Sequence, residues 1–355
     1  MSSLPRPRLI TVADVARAAG VSKATAARVL GGYGIVSEKT REDVVSAARA
    51  LNYRPNEMAR SMSTGRSGII GVVVGDIENP FFSSAVRGIA DVARSAGFNV
   101  ILANSSEDID LEKAAIRVML GKRVDGLIVT PAQCFDAAHL RDIKTSGRPI
   151  ALLDRAVPGL DVDTVTADDR EAAMRMTRLL VDAGHRRIVY ITAVGTPGSV
   201  YVDLDQIYTS SVRERIEGFF AVCRACGIVQ PERNIRLGAS RAQYTRAIVA
   251  RLLDEEKPPT AIFASDSLIA YDVFKVLRER GVDIPRRLSL VTFNKADWTE
   301  VVTPSITAVE QPVYELGRRV AELLARRLSG ENLPPERVVV PTRIIERQSV
   351  APPST

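Results

Sequence analysis

At 355 residues the chain is long enough for two or three domains, and its 46% hydrophobic and 25% charged residues are typical of a soluble protein with sizeable cores. No apolar run approaches the roughly 18 residues of a transmembrane helix, and the N-terminal stretch MSSLPRPRLI has no apolar export core. Three cysteines cannot build a disulfide framework, so a cytoplasmic protein is expected.

The net charge of +6 is carried entirely by the first fifth of the chain. Residues 1–66 hold 11 Lys and Arg against 5 Asp and Glu, whereas the remaining residues hold 37 of each sign. A basic segment on a neutral body indicates a polyanionic partner for that segment alone. A solvated basic surface without a partner is the alternative.

Three short helices are predicted at the N-terminus. Thr11 can cap the first, Ser22 the second, and Ser37 a third that runs to about Leu51. Gly20 marks a tight turn between the first two helices, and this arrangement is typical of a helix-turn-helix module.

A linker follows the third helix. Pro55 stops that helix, and the short segment at 56–64 is too short to be a stable helix in isolation. We therefore predict a linker that becomes helical only when it is docked.

From Gly68 onwards, apolar runs alternate with amphipathic segments, and the alternation restarts after Asp168. Such βα repetition predicts parallel sheets with helices on both faces, and two rounds predict two lobes with a ligand crevice at the carboxyl ends of the strands. The predicted strands are IIGVVV, NVILA, GLIVT, IALLD, RIVYIT, TAIFA and LSLVTF, and the predicted helices lie near 84–96, 111–122, 170–183, 211–226 and 267–280.

With these parts in place, the sequence resembles the LacI (lactose repressor-like) family of bacterial transcription regulators. The resemblance covers nearly the whole chain, and the order of its motifs is more specific than any one of them. These motifs are TVADVARAAGVSKATAARVL, VSEKTREDVVSAARALNYRPN, DIENPFF, VDGLIVTP, LLDR, DAGHRRI, RERIEGF, ASDSLIAYDV and TPSITAVEQPVYELG.

The resemblance implies an α/β protein with an all-α helix-turn-helix module, a hinge helix and a two-lobed core with parallel sheets, similar to type I periplasmic binding proteins. The expected limits are 10–55 for the DNA-binding domain, 56–66 for the hinge helix and linker, 67–347 for the effector-binding and dimerisation core, and 348–355 for a tail. Within the core, lobe 1 is expected at about 67–166 plus 312–336, and lobe 2 at about 167–311 plus 337–347.

In this family the second helix enters the major groove, which here directs Lys23, Ala24 and Arg28 towards base edges. Lys and Arg suit guanine O6 and N7, whereas Ala offers only apolar contact. Ala27 and Gly31 stand where the family often has Ser and Asn, so two phosphate contacts are expected to be missing. Phosphate contacts, which set the register on the duplex, are expected from Ser22, Thr25, Ser37, Thr40 and Tyr53. The other expected DNA-contacting residues are Thr11, Asn56 and Ala59.

Met62 occupies the place of the family's minor-groove wedge, where Leu is usual. One wedge per subunit implies a homodimer on near-palindromic double-stranded operator DNA. A surface methionine in a linker is the alternative.

The resemblance also implies a small effector in the cleft between the lobes. Aromatic faces together with bidentate polar groups suit a sugar-like molecule. Phe81 and Phe82 are equally compatible with core packing, and an ion pair between lobes is the less favoured alternative for Arg155. The residues placed near the effector by motif match are Phe81, Phe82, Asp154, Arg155, Arg215, Asp266, Asn294 and Trp298.

In VTFNKADW, Asn294 and Lys295 stand where many family members have two acidic residues. A cation beside the lost carboxylate makes a sugar acid or sugar phosphate one expectation for the effector, and a Lys295 that points to solvent is the other. The long segment GTPGSVYVDLDQIYTSS is expected at the mouth of the cleft.

No cofactor, metal or catalytic site is predicted. Cys223 and Cys226 lack a second pair, GIIGVVVGD lacks the G-x-G-x-x-G spacing, and there is no P-loop or G-x-S-x-G motif. We therefore expect a non-enzymatic repressor that a sugar or sugar acid releases from its operator. The alternatives are a corepressor-type regulator that senses a nucleobase or another metabolite, a sugar-binding protein without regulatory function, and an α/β enzyme acting on sugars.

Overall fold

The structure is a computed structural model that describes residues 10–31, 33–53 and 66–354. The chain divides after Gly68 into two compact units, which are described one at a time. The predicted hinge helix, with Asn56, Ala59 and Met62, lies outside the described residues.

The first unit consists of α1 (Val12–Ala18), α2 (Lys23–Gly31) and α3 (Glu38–Ala50). Each helix begins after its predicted cap: the backbone N–H groups of Asp14, Thr25 and Thr40 donate to the hydroxyls of Thr11, Ser22 and Ser37 respectively. A core of small apolar residues, with Val15, Ala26 and Val44 fully buried, holds the three helices together.

The turn between α1 and α2 depends on Gly20, whose φ of +66° lies in the left-handed region that glycine tolerates best. Beside it, the Val21 N–H donates to the Ala16 carbonyl at 3.0 Å, which ends α1 and redirects the chain. The predicted helix-turn-helix is therefore present.

The second unit contains two six-stranded sheets among its described residues. The first comprises β1 (Ile69–Val74), β2 (Asn99–Asn104), β3 (Gly126–Val129), β4 (Ile150–Leu153), β5 (Asp163–Ala167) and β11 (Arg337–Val340), in the order β11-β5-β4-β3-β1-β2, all parallel. The second comprises β6 (Ile188–Ile191), β7 (Ile235–Arg236), β8 (Ala261–Ala264), β9 (Ser289–Phe293), β10 (Thr307–Glu310) and β12 (Arg343–Ile345), in the order β12-β10-β9-β8-β6-β7, parallel except for β12 against β10.

Helices cover both faces of each sheet, because most of the strands are apolar throughout and must be buried on two sides. The five predicted helices begin within four residues of their expected starts. The helices of this unit are α4 (Pro80–Ser95), α5 (Ile109–Gly121), α6 (Ala138–Thr145), α7 (Asp169–Asp182), α8 (Ser210–Ala225), α9 (Ala242–Leu253), α10 (Ser267–Glu279), α11 (Trp298–Val301) and α12 (Val313–Leu328).

The expected boundary between the lobes at residue 337 is wrong for β11. This strand pairs with β5 of the first sheet, with Val338 opposite Val165. Asp163 fixes the pairing, because its carboxylate receives Nε and Nη2 of Arg327 at 2.7 and 2.8 Å and the Glu336 N–H at 2.8 Å. The chain therefore crosses to the second lobe only after Val340.

The segment expected as a tail at 348–355 is part of the second lobe as far as it is described. Ser349 is fully buried. Its carbonyl accepts the Leu290 N–H at 3.0 Å, and its hydroxyl donates to the Leu290 carbonyl at 2.5 Å. Further along, the Ser354 hydroxyl donates to the Arg286 carbonyl at 2.6 Å.

The first lobe depends on backbone contact between α4 and α12. A Cβ atom added at Gly88 would lie 2.2 Å from the carbonyl oxygen of Tyr314, and one added at Gly317 would lie 2.0 Å from that of Ala85. The two helices can approach this closely only because glycine faces backbone on both sides.

We expect Gly317→Ala to reduce the free energy of unfolding by about 1–3 kcal/mol, because a backbone oxygen cannot move aside for the methyl group. The matched control is Gly121→Ala, whose methyl group would meet no heavy atom within 4 Å and should be neutral or slightly stabilising. Urea unfolding measures both variants, and equal effects would contradict the proposed contact.

Candidate DNA-binding surface and ligand cavity

The outer face of α2 presents the residues predicted to read bases. Lys23, Ala24 and Arg28 are exposed, whereas Ala26 and Val29 are buried beneath them. Among the described residues, neither Lys23 nor Arg28 has an ion-pair partner. The two long cations are therefore available to a polyanion.

The predicted phosphate-contacting hydroxyls lie at helix N-termini. The hydroxyls of Ser22 and Thr25 are 2.9 Å apart, and those of Ser37 and Thr40 are 2.8 Å apart. The described first turn of α2 contains no acidic residue, so the partial positive charge of that N-terminus is not neutralised within the helix.

Two residues predicted to contact DNA, Thr11 and Tyr53, also contribute to the structure of the first unit. The Thr11 hydroxyl donates to the Asp14 carboxylate at 2.7 Å, so a carboxylate already occupies the N-terminus of α1. Tyr53 packs against the small core of the first unit and is half-buried.

The second unit contains a cavity of about 600 Å³ between its two lobes, at the carboxyl ends of the strands. Seven of the eight residues predicted near an effector line it. They are Phe81, Phe82, Asp154, Arg155, Arg215, Asp266 and Asn294.

Arg155, just after β4, is held by carboxylate and carbonyl groups of its own lobe. Its Nη1 and Nη2 donate to the two carboxylate oxygens of Glu107 at 2.5 and 2.9 Å, and Nη1 also donates to the Pro131 carbonyl at 2.9 Å. Burial alone opposes the charge, but Glu107 keeps the pKa of Arg155 above its usual value. The alternative of an ion pair between lobes is therefore wrong for Arg155, which pairs with Glu107 and Asp154 of its own lobe.

Arg215, on α8, is the corresponding cation of the second lobe. Its Nε donates to the Asp169 carboxylate at 2.7 Å, its Nη1 donates to the Ser265 carbonyl at 2.9 Å, and its guanidinium lies 4.1 Å from the ring centroid of Phe293. Burial raises the pKa of Asp169 to about 6 despite the adjacent guanidinium.

Several buried polar atoms on the cavity wall have no hydrogen-bond partner among the described residues. They are Asp154 Oδ1, Arg155 Nε, Thr209 Oγ1, Asn294 Nδ2 and Gln311 Nε2. Buried polar groups are normally paired, so this set of acceptors and donors fits a ligand with several hydroxyl or amine groups.

The backbone around the cavity is strained at four positions. Ser106, Glu107, Asp154 and Asn294 have φ between +52° and +67°, a region that residues other than glycine seldom adopt. Such strain concentrates at functional sites, where the surrounding structure holds it in place.

The structure places Trp298 and Lys295 away from the cavity wall. The Trp298 ring packs against Tyr271 and Phe274 at centroid distances of 5.5 and 6.0 Å. Lys295 Nζ lies 2.7 Å from Glu300 and 3.3 Å from Glu310. Lys295 is not beside the ligand space; its side chain is 31% exposed and pairs with Glu300 and Glu310, so the reason for expecting an acidic effector does not hold.

Sequence reasoning missed several residues of the cavity, notably Glu107, Tyr208, Tyr271 and Gln311. Glu107 follows a predicted strand, and polar residues at that position were a usable signal. Tyr208 lies three residues before the end of the long segment expected at the cleft mouth, and its carbonyl accepts the Cys134 N–H of the other lobe at 2.7 Å.

The described residues contain no group of three metal-ligating side chains, and no helix in that part of the chain is both long and apolar enough to cross a bilayer. Cys223 is buried in the core, and Cys226 accepts a hydrogen bond from Arg178 at 2.9 Å.

A helix-turn-helix unit with an exposed basic second helix, followed in the same chain by a two-lobed core with a ligand cavity, defines a class of ligand-responsive DNA-binding proteins. Residues 11–56 match the bacterial regulatory proteins of the lacI family, and residues 177–350 match the periplasmic binding protein-like domain.

Whole-chain relatives agree with these matches. Catabolite control protein A of Priestia megaterium is 31% identical over 342 residues, which cover 96% of this chain and 99% of that protein. The transcriptional regulator CelR in complex with cellobiose is 28% identical with a TM-score of 0.69, covering 96% and 100% of the two chains. The Lac repressor dimer bound to operator and the anti-inducer ONPF shares the fold, with a TM-score of 0.81 at 23% identity over 97% and 100%. The chain therefore belongs to the LacI family of bacterial transcriptional regulators.

We expect Glu107→Gln to destabilise the second unit by about 1–3 kcal/mol, because it removes the carboxylate of a nearly buried guanidinium. The matched control is Glu232→Gln. Both glutamate side chains are 35% exposed, but Arg155 is 9% exposed and Arg224, the partner of Glu232, is 61% exposed. The control should lose at most about 1 kcal/mol. Thermal unfolding measures the stability of both variants. Equal losses of stability would contradict the role assigned to Glu107.

Proposed function

We propose that this chain is a cytoplasmic, homodimeric repressor that binds a near-palindromic operator and is released from it by a small polyhydroxylated effector. The observation that carries the proposal is the pair of exposed cations on the outer face of α2, Lys23 and Arg28, which have no ion-pair partner in the part of the chain that the structure describes. Neither a sugar-binding receptor nor an α/β enzyme has a use for this surface.

The first unit supplies two kinds of DNA contact. Lys23 and Arg28 donate to guanine O6 and N7 in the major groove, which selects sequence. The hydroxyls at the N-termini of α2 and α3, from Ser22 and Ser37 with their neighbours, meet phosphates and set the register. The proposed homodimer is supported by the Lac repressor, which binds its operator as a dimer.

The second unit supplies the effector site. Unpartnered donors and acceptors together with Phe81 and Phe82 suit the hydroxyls and C–H faces of a sugar-related molecule. The cellobiose complex of CelR supports this class of effector.

Ligand binding affects the lobes through contacts that cross the cleft. The Ser211 hydroxyl donates to Asp154 at 3.3 Å, and the Ala156 N–H donates to the Ser210 hydroxyl at 2.9 Å. An effector that engages Asp154 changes the balance of these contacts and shifts the population of lobe arrangements. The factor by which this shift changes operator affinity defines the coupling free energy between the cavity and the operator.

The experiment selects operator sequences from random double-stranded DNA with the full chain and compares variants by gel shift at fixed salt. Arg28→Ala should weaken cognate binding by about 1–3 kcal/mol and relax the preference at one base position. The control is Arg17→Ala, which removes an exposed α1 cation that pairs with Asp14 and should keep every base preference.

Two outcomes would contradict the proposal. Failure of the wild-type chain to select any sequence would remove the function as a regulator. Equal weakening by Arg28→Ala on cognate and unrelated DNA would remove Arg28 as a base-reading residue.

A further inference from the structure

The charges on the cavity wall are strongly unbalanced. Of the described residues that line the cavity, six carry carboxylates and three carry guanidiniums, and none is a lysine. The carboxylates are Asp76, Glu78, Glu107, Asp154, Asp266 and Asp272, and the guanidiniums are Arg155, Arg215 and Arg241.

The two buried guanidiniums are already neutralised. Glu107 binds Arg155 through both carboxylate oxygens, and Asp169 binds Arg215 at 2.7 Å. Arg241, the third, is an exposed residue at the start of α9. The wall therefore offers little positive charge to an anionic ligand.

Asp154 and Asp266 each keep one unused carboxylate oxygen, although Oδ2 of Asp154 also lies 3.5 Å from Arg155 Nε. Asp154 is 5% exposed, and its Oδ1 has no hydrogen-bond partner among the described residues. Asp266 caps α10 with Oδ1, which accepts the N–H groups of Leu268 and Ile269 at 2.9 Å, and its Oδ2 bonds no described residue.

Both carboxylates are disfavoured as anions by their surroundings. Burial raises the pKa of Asp154, although Arg155 and Arg215 oppose the shift. Burial also raises the pKa of Asp266, although the N–H groups of Ile269 and Leu268, and then Arg215, oppose it. A ligand that brings a positive charge would remove this penalty.

Aromatic rings complete the surroundings of such a ligand. Phe81, Phe82, Tyr208 and Tyr271 all line the cavity. Aromatic faces attract cations and also stack on the C–H faces of a sugar ring, so they suit a molecule with both features.

We propose that the effector is a small polyhydroxylated molecule with one positive charge, of the amino-sugar class, and that Asp154 and Asp266 receive its ammonium group. This inference rests on the proposed effector role of the cavity. It assigns to the two carboxylates the discrimination against neutral and acidic sugars.

The test uses an aqueous extract of bacterial metabolites, freed of inorganic salts and separated at pH 7 on ion-exchange resins into cationic, neutral and anionic pools. Thermal unfolding of the full chain is measured with each pool. We expect the cationic pool to raise the melting temperature, and Asp266→Asn to require about 10- to 100-fold more of it for the same shift.

The variants are chosen to keep the fold intact. Asn can replace Asp266 as a helix cap, and it tolerates the left-handed backbone at Asp154, where Asp154→Asn serves as the second variant. The control is Asp254→Asn, an exposed partner of Arg280 outside the cavity, which should respond as the wild type does.

The other possible results distinguish failure of this inference from failure of the proposed effector role. A shift with the neutral or anionic pool but not with the cationic pool would overturn this inference and leave the proposed effector role intact. A cationic shift that both Asp→Asn variants retain would also overturn it. No shift with any pool would overturn the effector role itself and the inference with it.

Discussion

A guanidinium that is buried in a protein needs a carboxylate beside it, and this requirement organises the cleft. Each lobe presents one such cation, Arg155 from the first and Arg215 from the second, and each lobe supplies the matching anion, Glu107 or Asp169. Removing a single partner would leave an uncompensated charge. The two walls are therefore electrostatically complete by themselves, and Asp154, with an oxygen that nothing in the described chain bonds, is what remains for the other lobe and the ligand to satisfy.

The same arrangement explains how a small molecule can influence DNA binding in this family. Asp154 lies in the first lobe and accepts a hydrogen bond from Ser211 of the second at Oδ2, so a ligand that binds its Oδ1 shares one carboxylate with a contact between lobes. The two sites are coupled if the ligand favours an arrangement of the lobes that operator binding disfavours. The ligand then weakens operator binding by the same factor as the operator weakens ligand binding. In the proposed mechanism the α2 surface, where Lys23 and Arg28 have no ion-pair partner among the described residues, needs no change of its own; only the population of molecules competent to bind DNA has to change.

Local features of the structure could be predicted from the sequence, and features that depend on distant residues could not. The caps Thr11, Ser22 and Ser37 act within one helical turn, and the prediction of each was correct. The alternation of strands and helices is likewise a local pattern. In contrast, β11 pairs in the first sheet because Asp163 and Arg327 meet across more than 160 residues of chain, and no local pattern records that contact. One expectation placed Lys295 beside the ligand because it follows Asn294 in sequence. Glu300 and Glu310 hold its side chain elsewhere. Glu107 was missed because its partner Arg155 lies on a different strand end.

The most direct test of the account is reciprocity between the cavity and the operator. Fluorescence anisotropy gives the affinity of the full chain for its selected operator, with and without a saturating amount of the metabolite pool that stabilises it. Calorimetry of the free and operator-bound protein then gives the affinity for the same pool. We expect the ligand to weaken operator binding by a factor of about 5–150 and the operator to weaken ligand binding by the same factor. Operator affinity that does not change when the cavity is saturated would contradict it.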